Sequence, residues 1–285
     1  MEKKLQRIIH NHFTDSDNNS DNWQLVLENS NEYISVFHLL NTVNYYVAYN
    51  LSGSSFNLSM VIYENKKAVG VMPLMAHKDE NGKWILSSNG QEIVEPVFVK
   101  SLTLKAKKRI EKNLMDLIIN LARELDITQF QLVNIKYFQV SSWYLMWAKK
   151  AKDSFSTLHL LVDLSLSLQE IRLKIRKSVK ERIDQGLKEW KVEVHEKATA
   201  QLFEKFRLLH KLVAGRSTRP MESWQTQKKQ IDSLESFIVT VSDKQNNLVG
   251  AGLYTYSRDI GVSSVSAYKR ELFDKSLAQK QKDFS

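Results

Sequence analysis

The chain has 285 residues, of which 42% are hydrophobic and 26% are charged, and its formal net charge is +9. This composition is typical of a soluble globular protein with one large or two ordinary domains. The absence of cysteine excludes disulfides, cysteine-ligated zinc and a thiol nucleophile, and we expect no metal site. The positive charge is compatible with a nucleic acid, a nucleotide cofactor, a sugar phosphate or a membrane surface as partner, or with none of these.

The N-terminal region gives no sign of export. No apolar run approaches the ~20 residues that span a bilayer, and Met1–Leu5 lacks the apolar segment of a signal peptide. We therefore expect a cytoplasmic protein without a transmembrane segment. Residues 1–22 are polar and predict a weak helix followed by a flexible, solvated loop, with no role for His10 or His12. The oligomeric state is not indicated.

The first half of the chain predicts three strands and then alternating helices and strands. Residues 33–49 fit either a helix or a strand. Alternating apolar residues and polar turns predict an antiparallel meander of strands 56–62, 69–75 and 84–86. Seven apolar residues at helical spacing then predict one buried helix face: Ile110, Leu114, Leu117, Ile118, Leu121, Ala122 and Leu125. The predicted elements that follow are strand 130–135, helix 141–151 and strand 158–164.

The second half predicts a similar mixture. Its elements are a helix over 168–190, strand 192–195, helix 199–213, a helix from Pro220 to 231, and strands 236–241, 248–256 and 261–267. Gly215 is placed to end the helix before it, and Pro220 to begin the next one. Residues 279–285 predict a polar tail.

A self-match organises these elements. Residues 59–71 and 237–251 both contain a strand, a polar turn and a second strand entered by a Val-Gly pair, Val69-Gly70 and Val249-Gly250. Each is followed by a third strand. Two unrelated hairpins with similar turns are the alternative. Fewer than 20 residues follow Ala267, so the second copy is predicted to be incomplete, as in a truncated descendant of a longer protein.

The order of strands and helices, taken with two segments, resembles FemAB-like proteins of the GNAT superfamily. The segments are Leu209–Pro220 (LHKLVAGRSTRP), followed by Trp224 and Gln227, and Ser266–Lys275 (SAYKRELFDK). They resemble uncharacterised bacterial members, and the basic helix over 168–190 also fits. The Arg/Gln-x-x-Gly-x-Gly/Ala loop of ordinary GNAT enzymes is absent.

This resemblance implies an α+β fold of two tandem GNAT-like units with mostly antiparallel sheets flanked by helices. Its predicted domains are a flexible end over 1–22, a first domain over 23–165 and a truncated second domain over 166–285. The implied activity is transfer of an acyl or aminoacyl group from acyl-CoA or aminoacyl-tRNA to a small-molecule or glycan amine, for example in cell-envelope or polysaccharide metabolism. The donor is a co-substrate, tRNA is a potential partner, and no tightly bound cofactor is expected.

The corner between two predicted helices is the first candidate site. Arg216, Ser217, Thr218 and Arg219 combine two guanidinium groups and two hydroxyls beside a helix N-terminus, which suits a phosphate or carboxylate. The alternative is a polar loop whose arginines pair elsewhere. Two helical residues complete this site: Gln227 as a ligand contact and His210 as general base, the alternative being a structural histidine at the border of the apolar helix face. Trp224, three residues before Gln227, is expected in the core.

Two further candidate sites carry positive charge. On the predicted helix over 168–190, Arg172 and Arg176 have no acidic residue four positions away, and they lie beside an apolar stripe expected to be buried. They would contact a phosphorylated partner, unless this is a solvated basic face. After the last strand, Tyr268, Lys269 and Arg270 occupy the turn that holds the donor's pyrophosphate in the GNAT fold that the chain resembles.

Two other functions stay open. A non-catalytic module that binds RNA or an anionic glycan would explain the basic helix. An inactive truncated homologue would explain the missing closing strands.

Overall fold

The computed structural model describes residues 1–14, 17, 19–49, 54–136, 139–157 and 159–273. The chain forms two compact units. The first comprises residues 1–150, 217–236 and 255–262, and the second comprises residues 151–216, 237–254 and those from 263 onwards. Each unit is made of three separate segments of the chain, whereas each predicted domain is one continuous stretch. The predicted domain boundaries therefore stay a prediction. The predicted tail over 279–285 lies outside the described residues.

The elements confirm the predicted mixture of helices and antiparallel sheets. The helices are α1 Glu2–His12, α2 Ser20–Glu28, α3 Leu40–Tyr49, α4 Leu104–Glu124, α5 Ser142–Ala148, α6 Leu168–Lys174, α7 Lys177–Glu189, α8 Ala200–Ala214, α9 Met221–Asp232 and α10 Arg270–Phe273. The strands are β1 Ser55–Asn57, β2 Met60–Glu64, β3 Lys67–Met72, β4 Met75–Lys78, β5 Trp84–Ser87, β6 Glu92–Ile93, β7 Val97–Phe98, β8 Gln131–Leu132, β9 Lys191–His195, β10 Ser236–Ser242, β11 Leu248–Tyr256 and β12 Gly261–Tyr268.

The first meander is present, with an interruption that the sequence pattern did not predict. β1 and β2 pair antiparallel with β4 and β3 in one register as far as Ile62, after which a bulge shifts the register, and β5 pairs with β4. The ladder breaks at Pro73, which has no N–H to donate. There the Ser59 hydroxyl donates to the Leu74 oxygen at 2.9 Å and accepts from the Leu74 N–H at 3.0 Å. The predicted strands 56–62 and 69–75 are therefore each split in two.

Helix α4 supplies the core of the first unit. All seven residues of its predicted apolar face are buried, as the broad stripe requires. The expectation of a solvated N-terminal end is wrong, because α1 packs against α4 and buries Leu5 and Ile9. His12 is also held, since its ring nitrogens lie 2.8 Å from Asn113 Oδ1 and 3.0 Å from Asn120 Nδ2.

Three segments differ from the predicted secondary structure or settle an ambiguity in it. The ambiguous segment 33–49 contains helix α3, preceded by a 3₁₀ turn. The predicted strand 130–135 is reduced to β8, which pairs in parallel with β6 over two residues. The predicted strand 158–164 is wrong, because residues 159–164 have no strand partner and are exposed. Such an apolar segment forms a strand only where a neighbouring edge accepts it.

The predicted helix over 168–190 is two helices. Ile175 and Arg176 have extended backbones with ψ of 140° and 144°, which separate α6 from α7. The apolar stripe expected to be buried is not: neither helix contains a buried residue.

The second unit contains most of a four-stranded sheet in the order β12-β11-β10-β9. The boundaries of its strands agree closely with prediction. Thr199 is the N-cap of helix α8, and its hydroxyl accepts from the Leu202 N–H. The helix ends at Gly215 in the left-handed conformation with φ 68°, as expected for this glycine.

The two halves share an order of elements. In the first half, Asp17 bridges antiparallel to β2 before α2 and α3, and the meander and α4 follow. In the second half, β9 pairs with β10 before α8 and α9, and the meander β10-β11-β12 and α10 follow. This common order supports the internal repeat.

The shared Val-Gly pairs also have a common environment. A Cβ added at Gly70 would lie 2.6 Å from Cδ1 of the buried Phe98 on the adjacent strand. A Cβ added at Gly250 would lie 3.5 Å from the Cβ of Tyr268. Each glycine therefore lies beside an aromatic residue, but only the first approach is too close for a side chain.

We expect Gly70→Ala to lower the free energy of unfolding by about 1–3 kcal/mol, because the added methyl group overpacks against a buried ring. Gly250→Ala is the matched control. It is expected to raise the free energy of unfolding by about 0.4–1 kcal/mol, because alanine lowers the conformational entropy of the unfolded chain. Urea denaturation of both variants measures the difference. Equal stability of the two would contradict the close approach at Gly70.

Candidate functional site

The interface between α3 and α9 in the first unit is polar. Gln230 Nε2 donates to Thr42 Oγ1 at 2.9 Å, and both side chains are buried. At the end of α9, Asn41 Nδ2 donates to Glu235 Oε2 at 3.1 Å. Burial raises the pKa of Glu235, and the Asn41 hydrogen bond partly offsets this rise. The two helices are therefore aligned by specific hydrogen bonds as well as by packing.

Arg219 lies at the other end of this interface, directly before α9, and is only 5% exposed. Its Nη1 donates to the Tyr45 hydroxyl at 2.9 Å and to Gln227 Oε1 at 3.3 Å. Its guanidinium carbon is 4.1 Å from the ring centroid of Trp224, 5.7 Å from that of Tyr49 and 6.0 Å from that of Tyr45. These four residues and Arg219 form what we call the arginine cage.

The cage is electrostatically unusual because it holds a cation among aromatic rings. Burial raises the pKa of the Tyr45 hydroxyl, while Arg219 opposes that rise, so Tyr45 stays a neutral donor and acceptor. Gln227 is 1% exposed, and its Nε2 has no hydrogen-bond partner among the described residues. A buried amide without an acceptor costs about 1–3 kcal/mol. The cage therefore presents a cation next to an amide donor that lacks an acceptor.

The structure assembles part of the first predicted site. Arg219 and Gln227 meet in the cage, and the Ser217 hydroxyl donates to the Arg219 oxygen at 3.2 Å. Thr218 is half-buried beside them. Trp224 is buried as predicted, and it also forms a wall of the cage.

Arg216 and His210 belong to the second unit. Arg216 is exposed, and His210 is half-buried on α8. The cage residues belong to the first unit, so the predicted corner is divided between units.

The second predicted site is built differently from the expectation. Arg172 has no acidic partner four positions away, as the sequence shows, but it is not unpaired, because its Nη2 donates to both carboxylate oxygens of Asp184 at 2.9 Å. The break after α6 brings these residues together although they are twelve positions apart. Arg176 is the N-cap of α7 and is exposed. Their contact with a phosphorylated partner stays a prediction.

The third predicted site lies where expected, between β12 and α10. The Lys269 N–H donates to the Val249 oxygen at 3.0 Å, and Tyr268 and Arg270 are exposed on either side. Nearby, hydrogen bonds from Asn247 lower the pKa of Asp243, and Lys269 adds to this effect. This junction is in the second unit.

Tyr45 and Tyr49 are cage residues that were not predicted from the sequence. They are four residues apart on α3, which is the spacing of one helix face. That spacing would have identified them only if residues 33–49 had been assigned as helix.

A second group of buried polar residues surrounds His38, which is 0% exposed. The Ser35 N–H donates to His38 Nδ1 at 3.0 Å, so Nε2 carries the proton and donates to the Glu95 oxygen at 2.9 Å. The pKa of His38 is lowered to about 4, chiefly by burial and also by nearby Lys136, against hydrogen bonds to Glu95 and Ser35 that raise it. The imidazole is therefore neutral near pH 7.

The Glu95 carboxyl group is also buried. Lys136 Nζ lies 3.5 Å from its Oε2, whereas its Oε1 has no hydrogen bond in the described part of the chain. Burial raises the pKa of Glu95, and Lys136 and the Ser141 hydroxyl oppose this. Because the Glu95 backbone and carboxylate contact His38 and Lys136 within the first unit, we assign this group to the stability of that unit.

A surface cavity of about 390 Å³ lies elsewhere in the first unit. Its walls include Phe13, Tyr63, Arg109, Lys112 and Asn113. Arg109 forms an ion pair with Glu64 across one side. The cavity contains none of the predicted site residues.

Comparison with solved structures reveals the fold. FemX matches with a TM-score of 0.56 and 10% identity, over 93% of this chain and 84% of that chain. The chain has the fold of FemX. L-PGS from Bacillus licheniformis matches with a TM-score of 0.49 and 9% identity, over 93% of this chain and 70% of that one. The sequence matches no described protein family and no curated protein.

The FemX-like fold confirms the predicted FemAB-like architecture. At 10% identity it does not transfer residue roles. Within the described ranges, no helix is both long and apolar enough to cross a bilayer.

We expect acid to destabilise the first unit through His38. Its folded pKa of about 4 lies below the unfolded value of 6.5, so its stabilisation is present above pH 6.5 and is lost as the pH falls toward 4. The shift corresponds to about 3 kcal/mol. Urea denaturation from pH 7.5 to 4 measures this.

His38→Gln serves as the reference because it removes only this titration. Raised carboxyl pKa values, such as that of Glu95, act in the opposite direction and are common to both proteins. The difference in unfolding free energy between wild type and His38→Gln should therefore shrink with acid. A difference independent of pH would show that His38 is protonated equally in the folded and unfolded states.

Proposed function

We propose that the protein is an acyl- or aminoacyltransferase that moves an acyl group from an activated, anionic donor to an amine. The arginine cage carries this proposal, because a buried cation and an amide donor without an acceptor lie together in a FemX-like fold. The FemAB-like resemblance of Leu209–Pro220 points to the same chemistry.

Acyl transfer to an amine requires alignment of two substrates, removal of a proton and stabilisation of an oxyanion. The cage suits alignment. Arg219 offers a planar set of N–H donors, and Gln227 Nε2 offers another. Together they would bind a carboxylate or phosphate on one substrate. Their low exposure would strengthen each charge-assisted hydrogen bond.

The second unit would bind the donor in this proposal. Lys269 and Arg270 provide positive charge at the junction of β12 and α10, with Tyr268 beside them. Arg172, Arg176 and Arg216 would add long-range attraction for a polyanion such as tRNA. We keep His210 as the proposed general base. Acyl-CoA and aminoacyl-tRNA are cytoplasmic molecules, so we place the reaction in the cytoplasm.

A binding module for RNA is the second candidate, favoured by the exposed cations of α6 and α7. It predicts salt-sensitive binding to many polyanions without group transfer. A thermal-shift screen against CoA thioesters, tRNA and nucleotide sugars, followed by mass spectrometry of acyl transfer to amines, separates the two. Polyanion binding with no transferred group under any donor would favour the binding module.

We expect Arg219→Lys to weaken binding of the anionic substrate about tenfold or more, because an ammonium cannot reproduce the planar donors or the stacking on Trp224. Arg123→Lys is the matched control, since Arg123 is exposed on α4. Calorimetric titration of the ligand found in the screen measures both. Unchanged affinity for Arg219→Lys in a folded protein would remove the cage from the site.

We expect Arg216→Ala or Lys269→Ala to weaken donor binding several-fold without unfolding the chain, because each removes one charge near the anionic donor. Lys244→Ala, at an exposed turn between β10 and β11, is the control. Thermal melts verify folding, and titration measures affinity. Donor affinity equal to that of wild type in both variants would exclude these two residues.

A further inference from the structure

Helix α7 exposes its apolar side chains. Val179, Ile183 and Leu187 recur every four residues, and 42%, 38% and 59% of their surfaces are exposed. This spacing places them along one side of the helix, which we call the α7 stripe. A stripe of this kind normally faces a protein core. Exposed as it is, it marks a surface that contacts another apolar phase.

Positive charge flanks the α7 stripe. Within about 100° of its centre around the helix, at 3.6 residues per turn, lie Arg176, Lys180 and Arg182. Arg176 and Arg182 are exposed, and Lys180 is half-buried, with its Nζ 3.4 Å from the Leu173 oxygen. Long basic side chains in this position can extend past an apolar surface to reach anionic groups.

Negative charge is kept away from the stripe or neutralised. Glu181 and Glu189 lie farther round α7, about 160° and about 120° from the centre of the stripe by the same helical geometry. Asp184 lies nearer, but both its oxygens accept hydrogen bonds from Arg172. That contact also fixes α6 against α7. The side of α7 that carries the stripe is therefore apolar along its length, with Arg176 at its N-terminal end and Lys180 and Arg182 on either side.

We propose that α7 binds the surface of an anionic lipid bilayer, with the α7 stripe in the boundary between headgroups and acyl chains. This pattern of a narrow apolar stripe with basic edges is what interfacial helices present. Each basic residue gains from anionic headgroups. A nucleic acid would pair with the cations but would leave the three aliphatic side chains exposed to water. The α7 stripe therefore favours lipid over RNA.

The test is sedimentation of the full chain with sucrose-loaded vesicles. Vesicles of phosphatidylglycerol and phosphatidylcholine should bind the protein, and pure phosphatidylcholine vesicles should bind it far less. Ile183→Ser with Leu187→Ser should lower the partition coefficient about tenfold or more, because two apolar side chains no longer enter the membrane. The double variant Lys180→Gln with Arg182→Gln should lower the partition coefficient several-fold, and the decrease should be larger at low salt.

The matched control is Leu208→Ser with Leu212→Ser, which changes two exposed leucines four residues apart on α8. It should leave vesicle binding unchanged. Absence of binding to anionic vesicles would overturn the proposal, as would binding that the α7 serine variant does not weaken. RNA binding in place of vesicle binding, lost only with the basic residues, would overturn it too. So would a concentration-dependent dimer that the serine variant abolishes.

Discussion

The buried charge of Arg219 is the constraint on which the first unit depends. Removing a guanidinium from water costs several kcal/mol, and this cost must be offset locally. The face of Trp224 at 4.1 Å, the Tyr45 hydroxyl and the Gln227 oxygen offset it together. Because these groups come from α3 and α9, the cation holds both helices in one arrangement. Displacement of either helix would leave the charge poorly compensated.

A polar interface of this kind is not the most stable solution available to two packed helices. Replacing buried charges and amides by apolar residues of similar volume is often neutral or stabilising. The Gln227 oxygen accepts from Arg219, but its Nε2 finds no acceptor among the described residues, and this unpaired donor adds a cost. Such a cost makes sense where a ligand supplies the missing acceptor, because the donors are then fixed in place before binding.

Sequence patterns predicted those elements that depend on interactions between residues close together in the chain. The face of α4, the left-handed Gly215 and the strands of the second meander follow from periodicity and turn chemistry. The pairing of Arg172 with Asp184 depends on a break at Ile175 that no pattern marks. The role of Tyr45 depends on contact with Arg219, which is 174 positions away in sequence. Long-range contacts of this kind are set by tertiary packing and leave no periodic signal.

The contrast between α4 and α7 shows what periodicity alone cannot decide. Both helices have apolar residues at helical spacing, yet the face of α4 is buried and that of α7 is exposed. The difference lies in the width of the face. α4 adds neighbouring pairs such as Leu117 and Ile118, whereas α7 has about one apolar residue per turn. A wide face gains enough from burial to build a core. A narrow apolar face between cations is stabilised more at a boundary where apolar and anionic groups meet. This makes α7 a surface element.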